Sequence, residues 1–439
     1  MAKVITSEEE YVNQCTASGC TFPFATTTDA LQSPLKIGKC TVPNRIVYQP
    51  MEGCDGEPNG APGEKTIQKY MKFATSGAGM IWLEATAVCD EGKANPRQLR
   101  LTEETKDAFA KLVSDMKRAA REACGYEPIL ILQLTHSGRQ SKPNGTPAQL
   151  VAYHNAIFEE HTYIADEQIV SDTYLDCLQD RFVSAARLAM ECGFDGVDVK
   201  SCHGYLLGEL MSGYTRPGKY GGSFENRTRF LREVAHRVRQ VLPAGKLLCS
   251  RMSAYDGFPY PWGFGVKTDG SLTPDWTEAC RLVRALETEG VDLINITMGN
   301  PYVNPHVNRP FAVGTYTPDE APIMGVERML SGTAAIKAEC PEMPIVTSGF
   351  SFLGAESPYV AAGCVEAKQT DLVGFGRMTL AYPEFASDAL NGQFKSKQIC
   401  MACSKCTQLM RAGGIAGCVV RNPFYTQEYL TLKKEGKIK

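Results

Sequence analysis

The sequence predicts an α/β protein: a TIM (β/α)8 barrel followed by a short cysteine-rich C-terminal extension. Three observations lead there. Eight short apolar runs recur along the chain, each ending in Gly or a polar residue; segments of helical periodicity separate them; and four cysteines crowd into residues 399–418. A run that is apolar throughout, without alternation, reads as a parallel strand buried on both faces. Eight βα units in succession close into a barrel, with chemistry expected at the C-terminal strand ends. A doubly wound sheet is the alternative, and the absence of a G-x-G-x-x-G after the first run speaks against it.

The runs come in order. The first is "RIVYQPM" (45–51), the second "GMIWLEA" (79–85). The third, "PILILQL" (128–134), carries Gln133 at its end, with His136 and Arg139 just beyond. The fourth, "GVDVK" (196–200), runs into Lys200, His203 and Tyr205 of "KSCHGYL". "KLLCSRMS" (246–253) supplies Arg251, and "VDLINIT" (291–297) is the sixth. The last two, "MPIVTSG" (343–349) and "TDLVGFGR" (370–377), end in glycines whose bare backbone can approach a phosphate, with Arg377 to neutralise it. Between the runs, Phe109, Leu112, Val113 and Met116 follow the i, i+3, i+4, i+7 rule, as do Leu231, Val234, Ala235 and Val238. Two stretches break the repeat. Residues 140–170 form a long polar excursion that reads as a cap or lid. Residues 298–330, dense in Pro and Asn, are expected to border the site. Each strand-end group has a bland reading too: an arginine in a surface ion pair, His203 as a structural histidine, Tyr205 as a core aromatic. Their succession around one barrel favours a shared pocket.

Composition bounds the function. A formal charge of −3 over 439 residues argues against nucleic acid or an anionic membrane as the main partner. No run of about eighteen apolar residues exists to span a bilayer. The opening "MAKVITSEEEYVNQC" lacks a basic stretch followed by an apolar one, so no secretory signal is expected. Of seventeen cysteines, the thirteen outside the tail are scattered without motif spacing. They read as reduced, buried small hydrophobes, which points to a reducing cytoplasm. In the tail, Cys400, Cys403 and Cys406 sit three residues apart and Cys418 follows a glycine-rich step. Three thiolates on one short loop plus a distant one suit a cubane iron–sulfur cluster, which takes one cysteine per iron. Structural zinc more often takes two separated C-x-x-C knuckles. The cluster is the expectation and zinc the alternative.

The pieces "LQSPLKIGKCTVPNRIVYQPM", "EATAV", "LQLTHSGRQ", "GFDGVDVKSCHGYLLGELMS", "YGGSFENRTRF" and "DLVGFGR" occur in that order. Together they resemble the successive signatures of the Old Yellow Enzyme family of FMN-dependent reductases, over roughly residues 31–390. The cysteine run is similar to that of the family's iron–sulfur branch, which includes 2,4-dienoyl-CoA reductase and trimethylamine dehydrogenase. There the equivalent cysteines hold a [4Fe–4S] cluster beside the flavin. The resemblance implies roles position by position. Pro50, Met51 and Ala85 match backbone contacts to the isoalloxazine ring, and Gln133 matches the residue that hydrogen-bonds its pyrimidine. Arg251 matches the cation near N1 and the C2 oxygen. Gly349, Phe350, Gly376 and Arg377 match the phosphate cradle. Lys200 and His203 fall on the pair that holds a substrate carbonyl oxygen, Tyr205 on the proton donor, and Arg216 on a position that can reach substrate anions.

Two residues depart from the family pattern. Lys200 stands where the family usually has His, and Glu52, beside the flavin, where it has Thr or Cys. A lysine only donates, and favours a substrate that develops negative charge or bears a carboxylate. Glu52 would oppose an anionic reduced ring unless protonated or turned away. The resulting expectation is an FMN-binding barrel over residues 1–390 and a cluster-binding extension over 391–439. It would reduce the C=C bond of an enone, enoate or enoyl thioester, with hydride delivered from reduced FMN. Electrons would come from NAD(P)H directly or from a partner protein through the cluster, and a homo-oligomer is left open. The rivals are an amine dehydrogenase of the trimethylamine dehydrogenase type, for which Trp262 is the one tryptophan near a strand-end loop, and a non-catalytic electron-transfer subunit.

Overall fold

All eight apolar runs become strands of one barrel. The computed structural model describes residues 3–160 and 162–438. A two-stranded antiparallel hairpin comes first, β1 (Leu35–Ile37) and β2 (Cys40–Val42). The barrel follows: β3 (Ile46–Tyr48), β4 (Met80–Ala87), β5 (Ile129–Thr135), β6 (Gly196–Val199), β7 (Leu247–Tyr255), β8 (Leu293–Met298), β9 (Ile345–Ser348) and β10 (Leu372–Phe375). Each pairs in parallel with its sequence neighbour, and β10 returns to β3 to close the ring. Nearly every strand residue is buried, as a sheet sandwiched between its own interior and a ring of helices requires.

The helices form where the periodicity placed them. The helix Lys106–Cys124 buries Phe109, Leu112, Val113 and Met116. The helix Phe224–Val241 buries Leu231, Val234, Ala235 and Val238, and Ser223 caps it by accepting from the Asn226 N–H. Burying such a stripe is worth about 1.5–3 kcal/mol per large side chain. At the N-terminal end of the barrel the hairpin residues Ile37 and Val42 join Trp82, Ile131, Leu247 and Val346 in an apolar plug.

Toward the other end the interior turns polar, with Gln49, Asn295 and Asp198 paired. Gln49 and Asn295 exchange amide hydrogen bonds of 3.1 and 2.8 Å across the barrel. Asp198 accepts from Trp82 Nε1 (2.9 Å), Gln133 Nε2 (2.6 Å) and the Arg251 backbone N–H (2.7 Å). Burial still pushes its carboxyl up to about 6. A satisfied polar layer of this kind costs little once built and sets the orientation of what lies above it.

The excursion over 140–170 is not a lid: none of its described residues lines the cavity at the strand ends. It is pinned to the barrel flank instead. Arg139 bonds Glu209, Glu159 and the Tyr153 carbonyl, and Arg216 bonds the carbonyls of Ala152 and Val170. After the last barrel helix, Phe385–Leu390, the chain forms two further helices, Lys405–Arg411 and Pro423–Lys434. Leu409, Val419, Tyr429 and Ile438 make a small apolar cluster there, while Ile399 and Ala402 join the main core. Among the described residues no helix is long and apolar enough to cross a membrane.

Candidate active site

The C-terminal strand ends surround a cavity. The β3 end delivers Pro50, Met51 and Glu52, and β4 delivers Ala85. The β5 end presents Gln133, whose amide nitrogen is tied to Asp198, so its Oε1 is left to accept from the cavity. Lys200, His203 and Tyr205 arrive together on the loop after β6, a loop that turns sharply enough to hold His203 at φ +65°. Arg251 comes from within β7; Gly349, Gly376 and Arg377 come from the ends of β9 and β10.

The electrostatics follow from burial. Lys200 is about 5% exposed, and desolvation lowers its ammonium to about 8. Its Nζ stands 3.7 Å from the centroid of the Tyr205 ring. His203 is lowered well below the ordinary histidine range, by burial first and then by Arg251, Lys200 and Arg309; it is a neutral imidazole, 3.3 Å from Thr297 Oγ1. Burial raises Tyr205 well above the ordinary phenol value. Glu52 is raised as well, by burial, with Lys200, Tyr205, Lys69 and Asn95 pulling back. Its Oε1 accepts from Asn95 Nδ2 at 2.9 Å, and its Oε2 accepts from the Tyr205 hydroxyl at 3.4 Å.

Two expected residues lie elsewhere. Arg216 does not reach the cavity: its guanidinium donates to Ala152 O, to Val170 O (2.8 Å) and to Asp172 Oδ1 (2.8 Å), and it holds the excursion in place. The Phe350 side chain is buried in the core against Phe375, so only its backbone can face the phosphate end. His136 and Arg139 also turn away, the first to Tyr174, the second to Glu209. Trp262 is absent from the wall. Conversely, Tyr302, Arg309 and Arg411 line the cavity without having been singled out. The first two sit in the loop expected to border the site; Arg411 comes from the extension, and no local motif marks any of them.

The donor set can be tested for FMN. Arg377 Nη1, Arg309 Nε, Arg251 Nε and Thr347 Oγ1 are buried without a hydrogen-bond partner. Unsatisfied buried donors cost about 1–3 kcal/mol each, so the three arginines around one cavity mark a place built for an acceptor-rich guest. Gly349 is at φ +114°, closed to a side chain, and a Cβ on Gly376 would come within 3.0 Å of Met51 Sδ. Bare backbone beside two cations fits a phosphate. The residues fit.

Among the described residues, no set of three or more His, Cys, Asp or Glu could hold a single metal ion. A cubane asks for something different, one thiolate at each of four separated irons. Each of Cys400 and Cys418 is raised, by burial first and then by neighbouring thiols: Cys406 and Cys418 act on Cys400, Cys406 and Cys403 on Cys418. Each of the four thiols is thus within electrostatic reach of at least one other. Backbone N–H groups already point at two of them, from Ala402 to Cys400 Sγ (3.4 Å) and from Val420 and Arg421 to Cys418. Cys406 itself lines the cavity.

Comparison with known proteins bears on the family and the fold. The model of the NADH:flavin oxidoreductase / NADH oxidase family matches residues 30–303. An NADH oxidase of Thermoanaerobacter brockii is 26% identical over 378 residues, covering 84% of this chain and 52% of that protein. The chain thus spans about half the length of that relative. Among solved structures, a 2-naphthoyl-CoA reductase in complex with 2-naphthoyl-CoA aligns at a TM-score of 0.72 and 21% identity, covering 92% of this chain and 58% of the other. A histamine dehydrogenase from Rhizobium sp. 4-9 aligns at 0.68 and 21%, covering 91% and 53%. At such identities the structural matches establish the fold.

Proposed function

The chain belongs to the NADH:flavin oxidoreductase / NADH oxidase family, and from that premise we propose that it is an FMN-dependent reductase of the C=C bond in α,β-unsaturated carbonyl compounds. The observation that carries the reading is the triad on one loop: a neutral His203, a cationic Lys200 and a protonated Tyr205, all facing the cavity.

Gln133, Arg251, Gly349, Gly376 and Arg377 would hold FMN, with Pro50, Met51, Glu52 and Ala85 along its ring. When bound and reduced, that group supplies hydride. The chain's own residues then do the rest. Lys200 and His203 donate to the substrate carbonyl oxygen, where charge accumulates as the double bond is reduced, an oxyanion-type stabilisation. Tyr205 gives its hydroxyl proton to the α-carbon as general acid. A buried hydroxyl with a raised pKa keeps its proton until a carbon base takes it.

The same reading assigns Cys400, Cys403, Cys406 and Cys418 to a [4Fe–4S] cluster held by residues 391–439, beside a barrel formed by 1–390. NAD(P)H is the electron source the family name supports; a partner protein feeding the cluster is the other. A thioester substrate gains support from the 2-naphthoyl-CoA reductase likeness. The histamine dehydrogenase likeness raises an amine as substrate, but a cationic amine would meet Lys200, Arg251, Arg309, Arg377 and Arg411, with Glu52 the one carboxylate among the described lining residues. The test is anaerobic. The holoenzyme is reduced, and enones, enoates, enoyl thioesters and primary and tertiary amines are offered in turn. Reoxidation of the flavin by an unsaturated carbonyl supports the reading; reduction of the oxidised enzyme by an amine alone would replace it.

A further inference from the structure

Tyr205 can act once per cycle only if something returns its proton. Tyr205 is 4% exposed, with Lys200 against its ring and Glu52 and Cys54 near its hydroxyl. One neighbour reaches outward. Tyr302 Oη is 3.0 Å from Tyr205 Oη, and either hydroxyl can donate; the two rings lie 6.3 Å apart. Unlike Tyr205, Tyr302 is 36% exposed.

The contact is built rather than incidental. The Tyr302 backbone N–H donates to Asn300 Oδ1 at 2.8 Å, and Asn300 Nδ2 donates to His203 O at 3.3 Å. One asparagine therefore ties the loop carrying Tyr302 to the loop carrying Tyr205. Arg411, from the extension, donates to the adjacent Pro301 carbonyl at 2.5 Å. Glu52 accepts from Tyr205, which leaves the Tyr205 oxygen free to accept from Tyr302.

We infer that Tyr302 is the residue that reprotonates Tyr205, carrying one proton per turnover from solvent at the cavity mouth. The inference rests on the ene-reductase reading. The Tyr205 O–H bond breaks as the α-carbon–hydrogen bond forms; the phenolate, favoured by the Lys200 ammonium at its ring, takes the Tyr302 proton; Tyr302 recovers one from water. Hydride comes from the reduced cofactor, so each double bond consumes one hydride and one solvent proton. The charged and titratable groups facing this pair are Lys200, Glu52, Cys54, Arg309 and Arg411.

Tyr302→Phe keeps the ring and removes the relay. With pre-reduced holoenzyme, the first turnover should match the parent, since Tyr205 starts protonated. Steady-state kcat should fall by about 10²-fold, the low end of what a positioned acid supplies, with KM falling alongside it so that kcat/KM is kept, and with a larger solvent deuterium isotope effect. Imidazole buffer should restore the rate in proportion to its concentration. Tyr302→His replaces one proton carrier by another, and its kcat should decline as pH rises through about 6.5, the ordinary histidine value. A parent-like kcat and isotope effect in Tyr302→Phe, or a pH-independent Tyr302→His, would overturn the relay alone. Failure of the parent itself with every unsaturated carbonyl would overturn the proposed reaction and the relay together.

Discussion

The Lys200 ammonium stands 3.7 Å from the centroid of the Tyr205 ring, so one of the two residues that depart from the family pattern lies directly against the proposed proton donor. A cation there stabilises the phenolate that proton donation leaves behind, besides any bond it makes to substrate. Lys200→Met should lower kcat and kcat/KM together, because both effects are felt in the transition state. The parent should lose activity as pH rises through about 8, where Lys200 gives up its proton, and the variant should lack that limb. A rise in KM with kcat unchanged would instead put the lysine on a ground-state carboxylate.

The same substitution has a stability consequence with a definite sign. The folded pKa of about 8 lies below the ordinary value of 10.5, so between them the unfolded chain binds the extra proton and folding becomes more favourable as pH rises. Below about 8 the burial cost of the ammonium is present in full. Lys200→Met should therefore be more stable than the parent near neutral pH, by up to about 3 kcal/mol, with the difference shrinking toward pH 10. Urea unfolding at both pH values reads it. A less stable variant at neutral pH would show that the ammonium is well paired.

Tyr205→Phe separates the two halves of the reaction. Reduction of the enzyme by NAD(P)H should be nearly intact, while reduction of the unsaturated substrate should slow by about 10²–10⁴. Stopped-flow absorbance follows each half separately. Substrate reduction at the parent rate in the variant would hand the proton to solvent.

Arg216 carries a prediction of the opposite kind. Its side chain satisfies Ala152 O, Val170 O and Asp172, none of them at the cavity. Arg216→Met should leave KM for every substrate unchanged and cost about 2–6 kcal/mol of stability, since two buried carbonyls at about 1–3 kcal/mol each lose their donor. A KM effect confined to anionic substrates would restore the role its family position implies.

The contrast between Arg216 and Lys200 shows what the sequence made legible. Both lie in strong motifs. Lys200 sits immediately past an apolar run, and a barrel strand can deliver that position only to the mouth. Arg216 lies sixteen residues further along, past a helical turn at Leu206–Met211, where tertiary packing against the excursion decides its direction. The eight strands were readable because parallel strands buried on both faces leave unbroken apolar runs. Tyr302, Arg309 and Arg411 were not, because the loop and the extension that bring them in are placed by long-range contacts such as Arg411 to Pro301 O and Ala416 N to Gly53 O. The excursion misread as a lid is polar for another reason: it lies on the flank and carries the partners of two buried arginines.

The cysteine loop supports a final prediction. Ala402 and Ser404 flank Cys403 at φ +46° and +56°, the left-handed region that non-glycine residues avoid. Such positions cost about 1–3 kcal/mol each and persist only where something over-determines them. Four bonds from thiolate to iron would do so. Protein purified without oxygen should contain about four iron atoms per chain. Cys418→Ser should lower that content, and the loss should travel. The extension meets the barrel through Arg97 to Gly413 O (3.0 Å), Ala416 N to Gly53 O (2.7 Å) and Arg411 to Pro301 O (2.5 Å). With the loop released, residues 391–439 should become accessible to protease while the barrel stays resistant. The loop at Pro301 and Tyr302 should lose its clamp as well. Metal analysis and limited proteolysis of the parent and Cys418→Ser check both parts, and stoichiometric zinc without iron would overturn the assignment of these four cysteines to a cluster.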